Sequence, residues 1–175
     1  MGRSATGSRA AAERRTRTPA QWYCLLVGLV LLAIGIPGFI SDSSFDTGNA
    51  VQGGRFLGFE VNGIHNLVHV ASGLLLLAAS PKRASARAVA LAFGLVYGLV
   101  AAIGLVDGED VLGVLPVNGA DNVLQVALAA LGIATSLISR GDDRRKGALE
   151  RATDDRRFGR HEPAGAPTAR PTGRR

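Results

Sequence analysis

The sequence predicts an all-α membrane protein: four transmembrane helices arranged as two tandem repeated helical hairpins, with both termini cytoplasmic. Three observations carry this expectation. The apolar residues are bunched into four blocks, the basic residues gather in every other connecting segment and so on one side of those blocks, and segments of the first half recur in the second.

Of the 175 residues, 47% are hydrophobic, and they are not spread at amphipathic spacing. The blocks run over about 21–40, 62–80, 88–106 and 117–139, and no Lys or Arg interrupts them before Arg140. Each is 19 to 23 residues long, close to the ~20 that a helix needs to cross a ~30 Å hydrocarbon core. The polar and apolar residues do not alternate within them, which excludes the strands of a membrane β-barrel.

The first block follows a basic leader, as a secretory signal would. It is long for such a signal, and no A-x-A cleavage site follows Ile40. Gly28-Leu29-Val30 and Gly38 also align with Gly94-Leu95-Val96 and Gly104 at a constant offset of 66, making the first block a counterpart of the third. The second and fourth blocks align at an offset of 56, with seven identities in the fifteen positions from Val61 to Leu75. The chain therefore reads as a two-helix hairpin written twice, both copies entering from the same side.

A net charge of +6 and a pI near 10.6 would point to nucleic acid in a soluble protein. The distribution points to membrane topology instead, and no nucleic-acid partner is expected. Five basic residues precede the first block, Lys82, Arg83 and Arg87 separate the second from the third, and eleven follow the fourth. Arg55 alone serves the other two loops, which carry Asp42, Asp46, Glu60, Asp107, Glu109 and Asp110. By the positive-inside rule the acidic loops face outward. Arg outnumbers Lys eighteen to two, a bias of GC-rich bacterial genomes, so the expected location is a bacterial plasma membrane. Residues 1–20 and 140–175 read as flexible charged cytoplasmic tails. Their basic residues suit anionic lipid headgroups. Cys24 is the sole cysteine, so no intrachain disulfide can form.

The candidate functional residues open the second and fourth spans. Val61-Asn62-Gly63-Ile64-His65-Asn66-Leu67-Val68-His69 recurs as Val117-Asn118-Gly119-Ala120-Asp121-Asn122-Val123-Leu124-Gln125. At helical spacing Asn62, Asn66, His69 and Gly73 share one face, as do Asn118, Asn122, Gln125 and Ala129. Membrane helices press such polar and small residues against one another, and each interhelical hydrogen bond contributes roughly 0.6 to 2 kcal/mol. Gly94, Gly98 and Ala102 give the third span a small-residue face of the same kind.

Chemistry is the competing reading of the same residues. His65 and His69 stand at i and i+4 and, with Asp121, are candidate metal ligands. A haem held by paired histidines would need a second His on another span, whereas His161 lies in the tail, so no cofactor is expected. Ser72, either histidine and Asp121 can be named as a triad on paper, but no G-x-S-x-G, H-E-x-x-H or phosphate-loop motif supports catalysis. Tyr97, near the middle of the third span, is a candidate to face His69, with core or lipid contact the commoner place for an aromatic. The leading expectation is a noncatalytic structural or partner-modulating envelope protein, with a membrane-protein partner or a second copy as the associate. The alternative is a small transporter, channel or metal-binding membrane protein using the polar cluster.

The four spans, the Asn66-Leu67-Val68-His69-Val70-Ala71-Ser72-Gly73 element and its echo at Asp121-Asn122-Val123-Leu124-Gln125 resemble the actinobacterial membrane proteins grouped as domain of unknown function 4383. The similarity covers about residues 20–138. It implies a small integral membrane protein and supplies no activity. Where that family often has His in the second copy, this chain has Gln125, which removes one partner from any symmetric two-histidine mechanism.

Overall fold

The computed structural model describes residues 16–49, 51–108 and 110–158. The N-terminal tail before Thr16, Glu109, His161 and the end of the C-terminal tail lie outside them. The elements run α1 (Pro19–Ser41), β1 (Gly54–Phe56), β2 (Phe59–Val61), α2 (Gly63–Ala79), α3 (Arg83–Asp107), β3 (Asp110–Val111), β4 (Leu115–Pro116) and α4 (Gly119–Phe158). A helix, an antiparallel β-hairpin and a second helix thus occur twice in succession. The two β-hairpins occupy what the sequence suggests are plain loops. With strands of three and two residues, they are too short to show a period-2 pattern.

α1, α3 and α4 are long and apolar enough to cross a membrane. α2 is also apolar but has 17 residues, or about 25 Å at helical rise. It is shorter than its apolar block because Asn62 caps its N-terminus and Ser80-Pro81 ends it. α3 starts at Arg83, five residues before the block at 88, since a helix can continue past the hydrocarbon boundary with charged residues. α4 likewise extends beyond 139 to Phe158, where the sequence suggests a tail without regular structure. Its final turns carry Ala148, Leu149 and Ala152 among Asp, Glu and Arg at helical pairing distances, and no Pro occurs before Pro163. The residues up to Arg140 form one compact unit and those from Gly141 a second.

Within the first unit, small residues set the helix approach. A methyl group on Gly28 would lie 3.0 Å from the Gly73 carbonyl oxygen, and one on Gly94 would lie 2.8 Å from that of Ala129. These are the same two contacts displaced by the offsets of 66 and 56. The buried core gathers Tyr23, Leu31, Leu76, Phe93, Tyr97 and Leu128, with Tyr23 donating to the Leu128 carbonyl at 2.7 Å. Cys24 is buried there too, against the Ala86 carbonyl. At the end where α1 begins, Thr18 and Gln21 form a capping box, and the Gln21 amide donates to the carbonyls of Ser80 and Pro81. Ser139 accepts from the Ala20 amide, while Ser136 donates to the Arg87 carbonyl. Large apolar residues such as Leu26, Leu29, Leu95, Leu99 and Leu131 remain exposed on the outside of these helices, as lipid contact requires.

Candidate functional site

The recurring polar residues assemble at the opposite end, where the β-hairpins lie. Asn62, His65, Asn66, His69, Asp121, Asn122 and Gln125 are buried, and Asn118 is half-buried. Each local position follows from helix entry. Asn62 caps α2, its Oδ1 accepting from the His65 amide at 2.8 Å. Asn118 does the same for α4, accepting from Ala120 at 2.8 Å and Asp121 at 3.1 Å.

The other half of each amide joins the two repeats. Asn62 Nδ2 donates to the Val114 carbonyl beside the second hairpin's turn at 3.1 Å, and Asn118 Nδ2 donates to the Gly58 carbonyl in the first hairpin's turn at 3.0 Å. The next position completes the reciprocity with different chemistry. His65 Nδ1 lies 3.2 Å from the Pro116 carbonyl; because that oxygen only accepts, Nδ1 carries the proton. Asp121 Oδ2 instead accepts from the backbone amides of Glu60 and Asn118, both at 3.0 Å. Glu60 and Pro116 are themselves related by the offset of 56. Proline has no N–H, so a side chain facing residue 116 has only a carbonyl to meet and must donate, whereas one facing residue 60 can accept. The divergence of His65 and Asp121 thus matches the backbone opposite each.

One turn further along each helix, Asn66 Nδ2 donates to the Asp42 carbonyl at 3.0 Å and Asn122 Nδ2 to the Gly104 carbonyl at 3.2 Å. Their Oδ1 atoms pack against Gly38 and Gly104, where no side chain larger than hydrogen fits, and have no conventional donor. The Asp42 carboxylate ties the following loop together by accepting from the Ser44 amide at 2.7 Å and the Gly54 amide at 2.9 Å. Hydrogen bonding from the Ser44 side chain and then its amide, with help from Gly54, holds this carboxyl below the usual carboxylate range.

Deeper still, His69 Nδ1, Gln125 Oε1 and the Tyr97 hydroxyl are buried without a hydrogen-bond partner of full geometry, although the Tyr97 hydroxyl faces Ser72. Tyr97 stacks on Phe93 with ring centroids 3.9 Å apart, so its main surroundings are aromatic core. The structure brings His65 and His69 together, their rings 4.5 Å apart and tilted by 59°, and places Asp121 within electrostatic reach of His65. Among the described residues, however, no three His, Cys, Asp or Glu side chains form a group that could hold a metal. The candidate set of His65, His69 and Asp121 is not assembled as one: Asp121 is committed to two backbone amides and His65 to the Pro116 carbonyl. Sequence reasoning missed Gly38, Glu60 and Pro116 as contact residues. Gly38 was in view only as a marker of the repeat.

A family model described as Domain of unknown function (DUF4383) matches residues 21–138. The chain belongs to this family. The DUF4383 match reaches from the first turn of α1 into α4 and takes in the whole cluster of recurring polar residues. No curated protein and no solved structure matches the chain.

Proposed function

We propose that this DUF4383 protein is a noncatalytic structural or partner-modulating component of a bacterial plasma membrane, built from a duplicated helical hairpin. Both termini face the cytoplasm and the β-hairpins face outward. The reading is carried by one observation: the outer polar side chains interlock in reciprocal pairs between the repeats instead of leaving their functional atoms toward a common space. Groups used up in this way hold a shape. The topology is supported by the concentration of basic residues on one side of the spans, where they suit anionic headgroups. The associate is another membrane protein or a second copy.

Purification in detergent, followed by metal analysis and absorption spectroscopy of wild type and His69→Ala, tests this reading. Substoichiometric metal, no haem band and a variant that is merely less stable are expected. A stoichiometric metal or a chromophore lost in the variant would overturn it. The unpartnered atoms of His69, Gln125 and Tyr97 favour a second reading, a small transporter or channel whose solute takes up those hydrogen bonds. Under it, proton or cation flux into vesicles would appear with the wild type and vanish with His69→Ala.

A further inference from the structure

Both β-hairpins turn on a leucine in the left-handed region. Leu57 has φ 53° and is followed by Gly58 at 91°, and Leu112 has φ 59° and is followed by Gly113 at 67°. Positive φ at both central residues is the type I′ pattern, in which Asn or Asp normally takes the first place because a larger side chain crowds the backbone. Each leucine is also 74% exposed. A strained backbone that presents an apolar side chain outward, twice in one chain, gains nothing from the protein interior. It needs an apolar environment outside.

The length of α2 identifies that environment. Its far end runs straight into Ser80-Pro81-Lys82-Arg83, which fixes that end at the headgroups. A helix of about 25 Å then stops ~5 Å short of the far edge of a ~30 Å hydrocarbon layer. The β1–β2 hairpin, whose second strand ends at Val61 beside the α2 cap Asn62, starts within that gap. Backbone is tolerated at such depth only where its polar groups are satisfied by protein. The Asn118 bond to Gly58 and the Asn62 bond to Val114 supply this at the two turns. Around the same end, Ile40 and Val106 are 90% and 85% exposed, so the apolar surface of α1 and α3 continues to the level where their helices end.

We infer that the two β-hairpins are membrane-inserted caps, with Leu57 and Leu112 seated among the lipids of the leaflet at that end. The occupant is lipid rather than a protein partner, since the tips continue a surface that already faces lipid. Tryptophan scanning in vesicles tests this. In a Trp22→Phe background, which removes the only Trp, Leu57→Trp and Leu112→Trp are reconstituted in phosphatidylcholine with or without brominated acyl chains, and compared with lipid-facing Leu26→Trp.

Each tip Trp should emit to the blue of water-exposed indole and lose roughly half or more of the emission that Leu26→Trp loses to brominated lipid, as fits an interfacial depth. Quenching by aqueous acrylamide alone would overturn the inference. Protection from both quenchers would also overturn it, by showing a tip covered by protein. Leu57→Asn and Leu112→Asn guard against misfolding: Asn suits the turn, so the fold should persist while hydrogen exchange of the hairpin amides in bilayers rises severalfold. Unchanged exchange in these folded variants would count against insertion.

Discussion

Replacing Asn62 separates its two hydrogen bonds. The Oδ1 atom caps α2 through the His65 amide at 2.8 Å, and Nδ2 bridges to the Val114 carbonyl at 3.1 Å. Serine also caps helices well but is too short to reach Val114. Asn62→Ser should therefore lose only the bridge. Polar contacts inside membrane proteins contribute about 0.6 kcal/mol on average and up to about 1.7, and an acceptor left unpaired in a buried place adds to the loss, so about 1–2 kcal/mol is expected. Asn62→Ala also removes the cap, a further ~1 kcal/mol. Unfolding free energies in detergent, by steric trapping or denaturant titration, would rank wild type above Ser and Ser above Ala. Asn118→Ser breaks the reciprocal bridge to Gly58, and because both bridges join the same hairpins the double variant should show coupling of about 0.5 kcal/mol or more. A neutral Asn62→Ser, or strictly additive single effects, would refute the account of a clasp between repeats.

The remaining expectations concern the contacts around that clasp. His65→Asp should unfold more readily than His65→Ala in the same titration, because an acceptor would then face the Pro116 carbonyl, which has no N–H beside it to offer. Asp121→Ala should cost about 2 kcal/mol or more, since it strands the amides of Glu60 and Asn118, with Asp121→Asn milder; equal effects would count against the hydrogen-bond explanation. Gly28→Ala should lose about 1–3 kcal/mol, because the added methyl meets the Gly73 backbone oxygen at 3.0 Å. Gly98→Ala should be neutral or stabilising, its nearest neighbour being Ala129 Cβ at 3.5 Å.

The Asp42 contacts give a pH dependence of defined sign. A carboxyl held below its ordinary value of 3.8 contributes stability above that pH and loses it as the pH falls through its lowered value. The deficit of Asp42→Asn relative to wild type, followed by thermal unfolding from neutral pH downward, should therefore shrink below about pH 4. A deficit that grows on acidification would contradict the assignment.

The four apolar blocks, the recurrence at offsets of 66 and 56 and the polar faces of the second and fourth spans were all legible from spacing and charge. Those signals reside in how residues repeat along the chain. Helix ends were less legible: α4 passes Arg140 because charge marks the hydrocarbon boundary, and a helix need not stop there. The β-hairpins escaped because three-residue strands lack periodicity and because Leu57-Gly58 and Leu112-Gly113 are not usual turn pairs. The site was half visible. Asn62, Asn66, Asn118 and Asn122 could be placed on the right faces, but their hydrogen-bond partners are backbone amides and carbonyls, and a backbone group carries no sequence signature.

By itself, then, the sequence determined that this chain is an all-α membrane protein with a doubled polar motif, because burial in lipid demands long apolar runs and tolerates few polar side chains. Only the tertiary structure decided what that motif meets. It put His65 opposite a proline carbonyl and Asp121 opposite two amides, so that two of the three candidate metal ligands hold backbone groups, and it set the hairpins on the capped ends of α2 and α4. The physical reason is that hydrogen bonding depends on which backbone donor or acceptor lies about 3 Å away, and that is known only when both repeats have folded against each other.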